Sequence, residues 1–280
     1  MPTDLKTLLD YFKEEHKNFS GHFGLAAQRT DSDEPILYHA DDIFPTASVM
    51  KLVVLVEYFA QVTEGVLEPD QPVMIRSEDL VGGSGVLKDL QPGLQLTLHD
   101  IATLSITVSD NTAANLLIKK VGDLDQVNLR LKSLEMNNTT MGRPFIFGST
   151  ADNTGSPADF LRLLLAIARH QLINPSASRQ ILGIMSRQQL LGYIPRYLPH
   201  HPFAAEYDLP QRVTIANKTG MVRGTANDAA IITTSSFTYA LVVFTRDCRD
   251  TRADPDNEAA LLVARLSKRA YDYFSWADAG

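Results

Sequence analysis

A single lysine stands inside an apolar run, FPTASVMKLVVLVEYF, from Phe44 to Phe59. From Ser48 to about Gly65 the pattern is helical, and only Lys51, Glu57 and Gln61 interrupt the apolar residues before its end. A helix that is apolar nearly all round has no face to give to water. It must lie at the centre of the fold, covered on most sides by other elements. That covering also buries the ammonium of Lys51, one turn after Ser48.

The rest of the chain supplies the cover. Residues 1–20 put Leu5, Leu8, Leu9 and Phe12 at helical spacing, with charges between them. GHFGLAAQRT and EPILYHA then read as strands joined by the turn DSDE. Beyond the central helix most segments to about residue 200 read as helical: LHDIATLSI, TAANLLIKKVG closed by Gly122, DQVNLRLKSL, and SPADFLRLLLAIARH with Ser156 as N-cap and Pro157 in the first turn. Strands return in QRVTIANKTG, NDAAIITT and FTYALVVFTRD, with GMVRGTAN and SS as turns. DNEAALLVARLSKRAYDYF closes the chain as an amphipathic helix.

This order predicts a two-part α+β fold. Residues 1–50 and 205–280 would build one antiparallel sheet flanked by the terminal helices, and residues 51–204 an inserted helical domain. The site would lie at the seam.

Composition excludes several functions. The 280 residues are 44% hydrophobic and 21% charged, an ordinary globular balance. Net charge is −7 with both signs mixed, and no basic patch points to nucleic acid. No run of 18 apolar residues exists, so no membrane-spanning helix is expected. Cys248, the one cysteine, can form no intramolecular disulfide and reads as a bystander. The seven histidines form no H-x-H or H-E-x-x-H pair, so neither a metal nor another cofactor is expected. The first 20 residues lack the unbroken apolar stretch of a signal peptide. The protein is expected to be a monomer, cytoplasmic if Met1 is its native start and periplasmic or secreted if a leader has been removed.

Ser48 and Lys51 are three apart, which puts both side chains on one helix face. A serine hydroxyl needs a base beside it to attack at neutral pH, and a lysine kept neutral by burial can be that base. The N–H groups of the helix N-terminus can hold a developing oxyanion. The bland alternative is a capping serine and a snorkelling lysine, and S-x-x-K alone does not exclude it. Two further motifs do: Ser109-Asp110-Asn111 between helical segments and Lys218-Thr219-Gly220 at a strand end. S-x-x-K, S-D-N and K-T-G in this order form the signature of penicillin-recognising serine enzymes. Ser109 follows Ser48 by 61 positions, and Lys218 follows Ser109 by 109.

With DIFPTASVMK, SEDLVGGSGVLKDL, LTLHDIATLSITVSDNTAANLLI and KTGMVRGTANDAAII, the chain resembles the class A β-lactamases over nearly its whole length. The resemblance implies Ser48 as the acylated nucleophile, Lys51 as its proton acceptor, and Ser109 as a shuttle between Lys218, Lys51 and the leaving nitrogen. It implies that Asn111 holds Lys51 and the substrate amide, and that Lys218 and Thr219 bind the substrate carboxylate, with Gly220 completing that motif. The backbone N–H groups of Ser48 and Met221 would form the oxyanion hole. Arg223 and Thr225 are further candidates for carboxylate binding, with a solvated turn as the other reading of Arg223. The substrate class implied is a small β-lactam or related acyl compound.

Two departures stand out. The family needs a glutamate in an E-x-x-L-N loop to activate the deacylating water. Here NNTTMGRPFIFGSTADNTGSP, residues 137–157, has none and is several residues shorter. Its one carboxylate, Asp152, is the one candidate substitute base there, with a structural aspartate the favoured reading. The second departure is LVGGSG, where glycines replace an aromatic wall and Ser84 is left as a polar contact. Ser84 itself is no nucleophile elbow, because Val86 stands where G-x-S-x-G needs glycine. Acylation machinery thus reads as complete and the usual deacylation machinery as absent. Three functions stay open: weak hydrolysis of β-lactams or of related amides and esters, a penicillin-binding or DD-peptidase-like enzyme, and a β-lactam-binding sensor without turnover.

Overall fold

The computed structural model describes residues 4–146, 148, 151–204 and 206–279. Helix α1, Leu5–Asn18, starts at Asp4, whose side chain accepts from the Thr7 N–H, and it buries Leu8 and Phe12. Strands β1 (His22–Arg29) and β2 (Ile36–Tyr38) follow. β3 (Phe44–Pro45) leads into a 3-10 turn, Ala47–Met50, and then helix α2, Lys51–Thr63. After β4 (Pro72–Met74) and β5 (Gln95–Thr97) come α3 (Leu98–Thr107), α4 (Asn111–Val121) and α5 (Asp123–Ser133). β6 (Thr154–Gly155), α6 (Pro157–Ala168) and α7 (Pro175–Met185) precede strands β7 (Val213–Val222), β8 (Thr225–Thr234) and β9 (Thr238–Arg246). Helix α8, Glu258–Ala279, ends the chain.

Five strands form one sheet in the order β2-β1-β9-β8-β7. Every pairing is antiparallel, with β1 against β9 in the register Leu25↔Val243. The two-residue period of the strands sorts their side chains. Phe23, Leu25, Tyr239 and Leu241 join Leu8 and Phe12 of α1 and Leu262 and Leu266 of α8 in one core. Ala26, Ala240, Val242 and Phe244, on the opposite face, join α2 and α6 in the other. Strands from both ends of the chain therefore make one sheet, and helices α2–α7 lie between them in sequence. This is the two-part fold that the element order predicts.

Helix α2 is buried from Lys51 to Gln61, as an all-round apolar helix must be. Its second charge, Glu57, is fully buried and takes hydrogen bonds from Arg130 at 2.5 Å, Gln61 at 2.7 Å and Gln126 at 2.9 Å. A buried carboxylate so paired is tolerated. Lys51 is in no ion pair among the described residues, and the charge of Asp110 opposes the fall of its pKa only as the smallest of the causes.

Three details differ from the sequence reading. Ser48 lies in the 3-10 turn that leads into the α-helix, and Ala47, which opens that turn, is left-handed at φ 49°. Residues 66–97 hold the β4–β5 pair, whose three-residue strands are too short to show a period. Strand β7 runs on through Met221 and Val222, so only Arg223 and Gly224 make the turn into β8, with Gly224 at φ 71°.

Candidate active site

Three elements converge where α2 begins. The first is the turn carrying Ser48. Both the N–H and the hydroxyl of Thr46 donate to the Asn153 carbonyl, at 2.8 and 3.0 Å, which ties this turn to the 137–157 loop. Ser48 is half-buried and lines the cleft.

The second is the junction of α3 and α4. Asp110 caps α4 by accepting from the Ala113 N–H at 2.9 Å, and it also accepts from Val86 and Leu87 N–H at 2.7 and 2.8 Å. The middle residue of S-D-N therefore clamps the 84–87 loop. A Cβ on Gly85 would run into that carboxylate, and Gly85 sits at φ 105°, so glycine is required there. With Asp110 spent on structure, Ser109 (φ 55°) and Asn111 are turned toward α2.

The third is β7. Lys218 and Thr219 are buried, and Gly220 passes the Ser48 turn closely. A Cβ on Gly220 would lie 2.7 Å from the Thr46 carbonyl oxygen and 3.1 Å from the Ser48 nitrogen.

The two lysines share one hydroxyl. Lys51 Nζ donates to Ser109 Oγ at 3.3 Å, to the Ser109 carbonyl at 2.6 Å and to Asn111 Oδ1 at 2.8 Å. Lys218 Nζ donates to the same Ser109 Oγ at 3.0 Å and to the Thr219 carbonyl at 2.7 Å. Among the described residues, none of the Lys51 hydrogen bonds goes to Ser48. Burial holds the Lys51 pKa well below the usual lysine range, and the charge of Lys218 adds to the effect. Burial brings Lys218 down to about 7 against the opposing charge of Asp228.

Ser84 donates to the Ser109 carbonyl at 2.7 Å and to Asn111 Oδ1 at 3.3 Å, while Asn111 Nδ2 donates to the Gly82 carbonyl at 3.0 Å. Ser84, Thr219, Met221, Arg223 and Thr225 line one cleft of about 960 Å³ with Ser48, Ser109 and Asn111. Met221 and Arg223 are exposed there and Thr225 is buried. Asp152 is directed elsewhere. It accepts from Arg143 at 3.4 Å and from the Asn153 N–H at 2.9 Å, and it is not among the residues lining the cleft.

Two residues at this site escaped the sequence reading. The Phe145 ring lies over Lys51 Nζ, 4.6 Å from its centre. Asn115 of α4 fixes that residue by both backbone groups, accepting from its N–H at 2.8 Å and donating to its carbonyl at 3.2 Å. Asp228 is opposite Thr219 in the β7–β8 register and fully buried. It accepts from Asn217 Nδ2 at 3.0 Å and from the Ile194 N–H at 3.0 Å. Burial pushes its pKa up to about 6. The glutamate-free loop was the only sequence signal for Phe145, and Asp228 had none.

A buried lysine with a lowered pKa three residues after a cleft serine, with a second lysine across a shared hydroxyl, can carry acyl transfer. With the two-part fold, this defines the class A β-lactamase-like serine hydrolases. The family model "Beta-lactamase enzyme family" matches residues 5–274, and the chain belongs to that family. Among solved structures it is similar to a β-lactamase from Sphaerobacter thermophilus, at 26% identity over 97% of this chain and 98% of the other, with a TM-score of 0.86. It is similar to PBP-A at 25% identity over 98% of each chain, with a TM-score of 0.84. A leucine-to-glutamate variant of PBP-A, in an acyl-enzyme complex with penicillin G, matches at 25% identity over 98% and 99%, with a TM-score of 0.83. Family and fold together make this chain a serine β-lactamase- or penicillin-binding-protein-like hydrolase. Among the described residues, no helix is long and apolar enough to cross a membrane.

Proposed function

We propose that Ser48 forms an acyl-enzyme with β-lactams and related amides or esters, and that this acyl-enzyme is hydrolysed slowly. The observation that carries the first half is Lys51: fully buried, without an ion-paired carboxylate among the described residues, and tied to Ser109 and Asn111. Burial disfavours the ammonium of a lysine so placed and so favours its role as a proton acceptor. Ser48 Oγ attacks the carbonyl carbon, and its proton passes to Lys51 Nζ. The oxyanion is held by the Ser48 and Met221 N–H groups. The C–N bond then breaks, and Ser109 Oγ delivers a proton to the leaving nitrogen, replenished from the lysines on either side. Lys218 and Thr219 hold the substrate carboxylate.

The second half is supported by Phe145. In the loop where a deacylating carboxylate would be sought, an aromatic ring covers Lys51. It offers no base and excludes water from that side. The similarity to PBP-A agrees with a reading as a penicillin-binding enzyme whose natural substrate is a peptide or ester.

The test is to mix the purified protein with nitrocefin and follow hydrolysis and intact mass together. The expected result is a one-to-one adduct at Ser48 that persists over many minutes and is absent in Ser48→Ala. Rapid steady turnover without an adduct would overturn slow deacylation. Labelling retained in Ser48→Ala would overturn the nucleophile.

A further inference from the structure

Three of the seven histidines meet at one corner of the sheet. His16 is in the last turn of α1, His22 opens β1, and His39 follows β2 with φ 47°. Asp42 lies in the turn before β3. His22 Nε2 is 2.7 Å from Asp42 Oδ2, and His39 Nδ1 is 3.5 Å from the same oxygen. One donor atom from each of His22, His39 and Asp42 lies within 4.8 Å of the others. Donors about 2.0–2.2 Å from one tetrahedral ion stand roughly 3.3–3.5 Å apart. Small side-chain rotations therefore bring all three onto one centre.

The central ring is already held. His22 stacks on Phe44 with centres 5.5 Å apart and planes 6° apart. Its other nitrogen, Nδ1, is 3.1 Å from His16 Nε2. Metal-bound imidazoles use their second nitrogen in this way, which fixes ring angle and tautomer. His16 Nδ1 is itself buried and without a partner among the described residues. Such a chain of rings is more than a surface His–Asp pair needs. The side chains of His39 and Asp42 stay 43% and 41% exposed, which leaves an approach for an ion and room for a water ligand.

We propose that His22, His39 and Asp42 form a binding site for a divalent transition metal of the zinc type, with His16 as the positioning residue behind His22. Two imidazoles and one carboxylate suit Zn²⁺, Co²⁺ or Ni²⁺, whereas Mg²⁺ and Ca²⁺ take all-oxygen sets. The site is separate from the Ser48 cleft, whose lining includes none of these four residues. No step of acyl transfer depends on it.

The test uses untagged, EDTA-treated full-length protein titrated with Zn²⁺ by calorimetry and with Co²⁺ by visible absorption. The expected result is one ion per chain, d–d bands of a four-coordinate Co²⁺ centre, and a Tm raised by about 3–6 °C at saturating Zn²⁺. His39→Asn and Asp42→Asn change exposed side chains and leave the fold intact; each is expected to weaken binding at least tenfold. His16→Phe keeps a ring against Phe23 and is expected to weaken it about 10–100-fold. A double His200→Ala, His201→Ala variant is expected to bind as the parent does. Absence of stoichiometric binding overturns the proposal. So does binding whose affinity is unchanged in His39→Asn and Asp42→Asn, since the ion would then sit elsewhere.

Discussion

Replacing Phe145 by glutamate tests slow deacylation at its physical cause. The ring centre is 4.6 Å from Lys51 Nζ, and a glutamate carries its carboxyl carbon about as far from Cα as a phenyl ring centre. Asn115 holds the backbone of residue 145 at both polar groups, so the new carboxylate is presented at Lys51. Two opposite charges about 4 Å apart attract by roughly 4 kcal/mol at an effective dielectric of about 20. That attraction favours an ionised glutamate beside Lys51, available as the base. General-base help contributes about 10²–10⁴-fold, or roughly 3–5 kcal/mol of barrier. The adduct lifetime should shorten by that factor. Losing the ring, only 6% exposed, costs about 3–5 kcal/mol of packing, partly offset by the ion pair. The assay is the decay of acyl-enzyme mass after excess nitrocefin is removed, with circular dichroism to confirm folding. Phe145→Leu is the control, since it removes the ring and adds no base. A folded Phe145→Glu protein with an unchanged adduct lifetime would refute the reasoning. Equal acceleration in Phe145→Leu would do so too, because water access alone would then be limiting.

Three further outcomes follow from the site geometry. Lys218 titrates near 7 and binds a carboxylate only when protonated, so capture of carboxylate-bearing substrates should fall as pH rises through about 7. Capture of neutral esters should not fall, and parallel pH profiles for both substrate types would contradict the assignment. Gly220→Ala places a Cβ 2.7 Å from the Thr46 carbonyl and 3.1 Å from the Ser48 nitrogen. Acylation is expected to drop roughly 10²-fold through displacement of the nucleophile turn, read as the labelling rate of a folded variant. Asp110→Ala removes a helix cap and orphans the Val86 and Leu87 N–H groups. A loss of about 2–4 kcal/mol in urea unfolding is expected, and Asp110→Asn should restore only part of it, because one of its two side-chain positions becomes an NH2 donor facing a backbone N–H.

What the sequence disclosed depended on period and proximity. Helix α2 was legible because eleven consecutive buried positions leave a mark in composition alone. The sheet was legible because β7, β8 and β9 are runs of nine or ten residues rich in β-branched and aromatic side chains and bounded by turn residues. The β4–β5 pair has three residues a side and no period to read. Within the site, Ser48, Lys51, Ser109, Asn111 and Lys218 lie in short motifs whose order carries information. Phe145 and Asp152 share one loop, and nothing local says which of them turns toward Lys51. That is decided by Asn115, 30 positions earlier, and by Arg143 drawing Asp152 away. His16, His22, His39 and Asp42 follow no short ligand spacing, and only the folding of α1 against β1 and β2 brings them together.

In the proposed mechanism the charge of Lys218 has two duties that pull in opposite directions. It must be present to hold a substrate carboxylate, and its presence helps keep Lys51 neutral. Yet burial alone works against it. The counterweight is Asp228, buried behind the strand and itself ionised above about pH 6. The two opposite charges support each other, and where both are present the site is set for anionic substrates. Asp228→Asn should therefore leave acylation by neutral esters nearly intact while lowering the Lys218 pKa further. The fold can absorb the change, because Asn217 Oδ1 is buried without a partner among the described residues, and an amide flip lets it accept from the side-chain amide introduced at position 228. Capture of carboxylate-bearing substrates should then decline from a lower pH than in the parent, and acidification should restore it. If the profile keeps its midpoint in the variant, Asp228 does not support the charge on Lys218, and the carboxylate must be held chiefly by Thr219, Thr225 or Arg223.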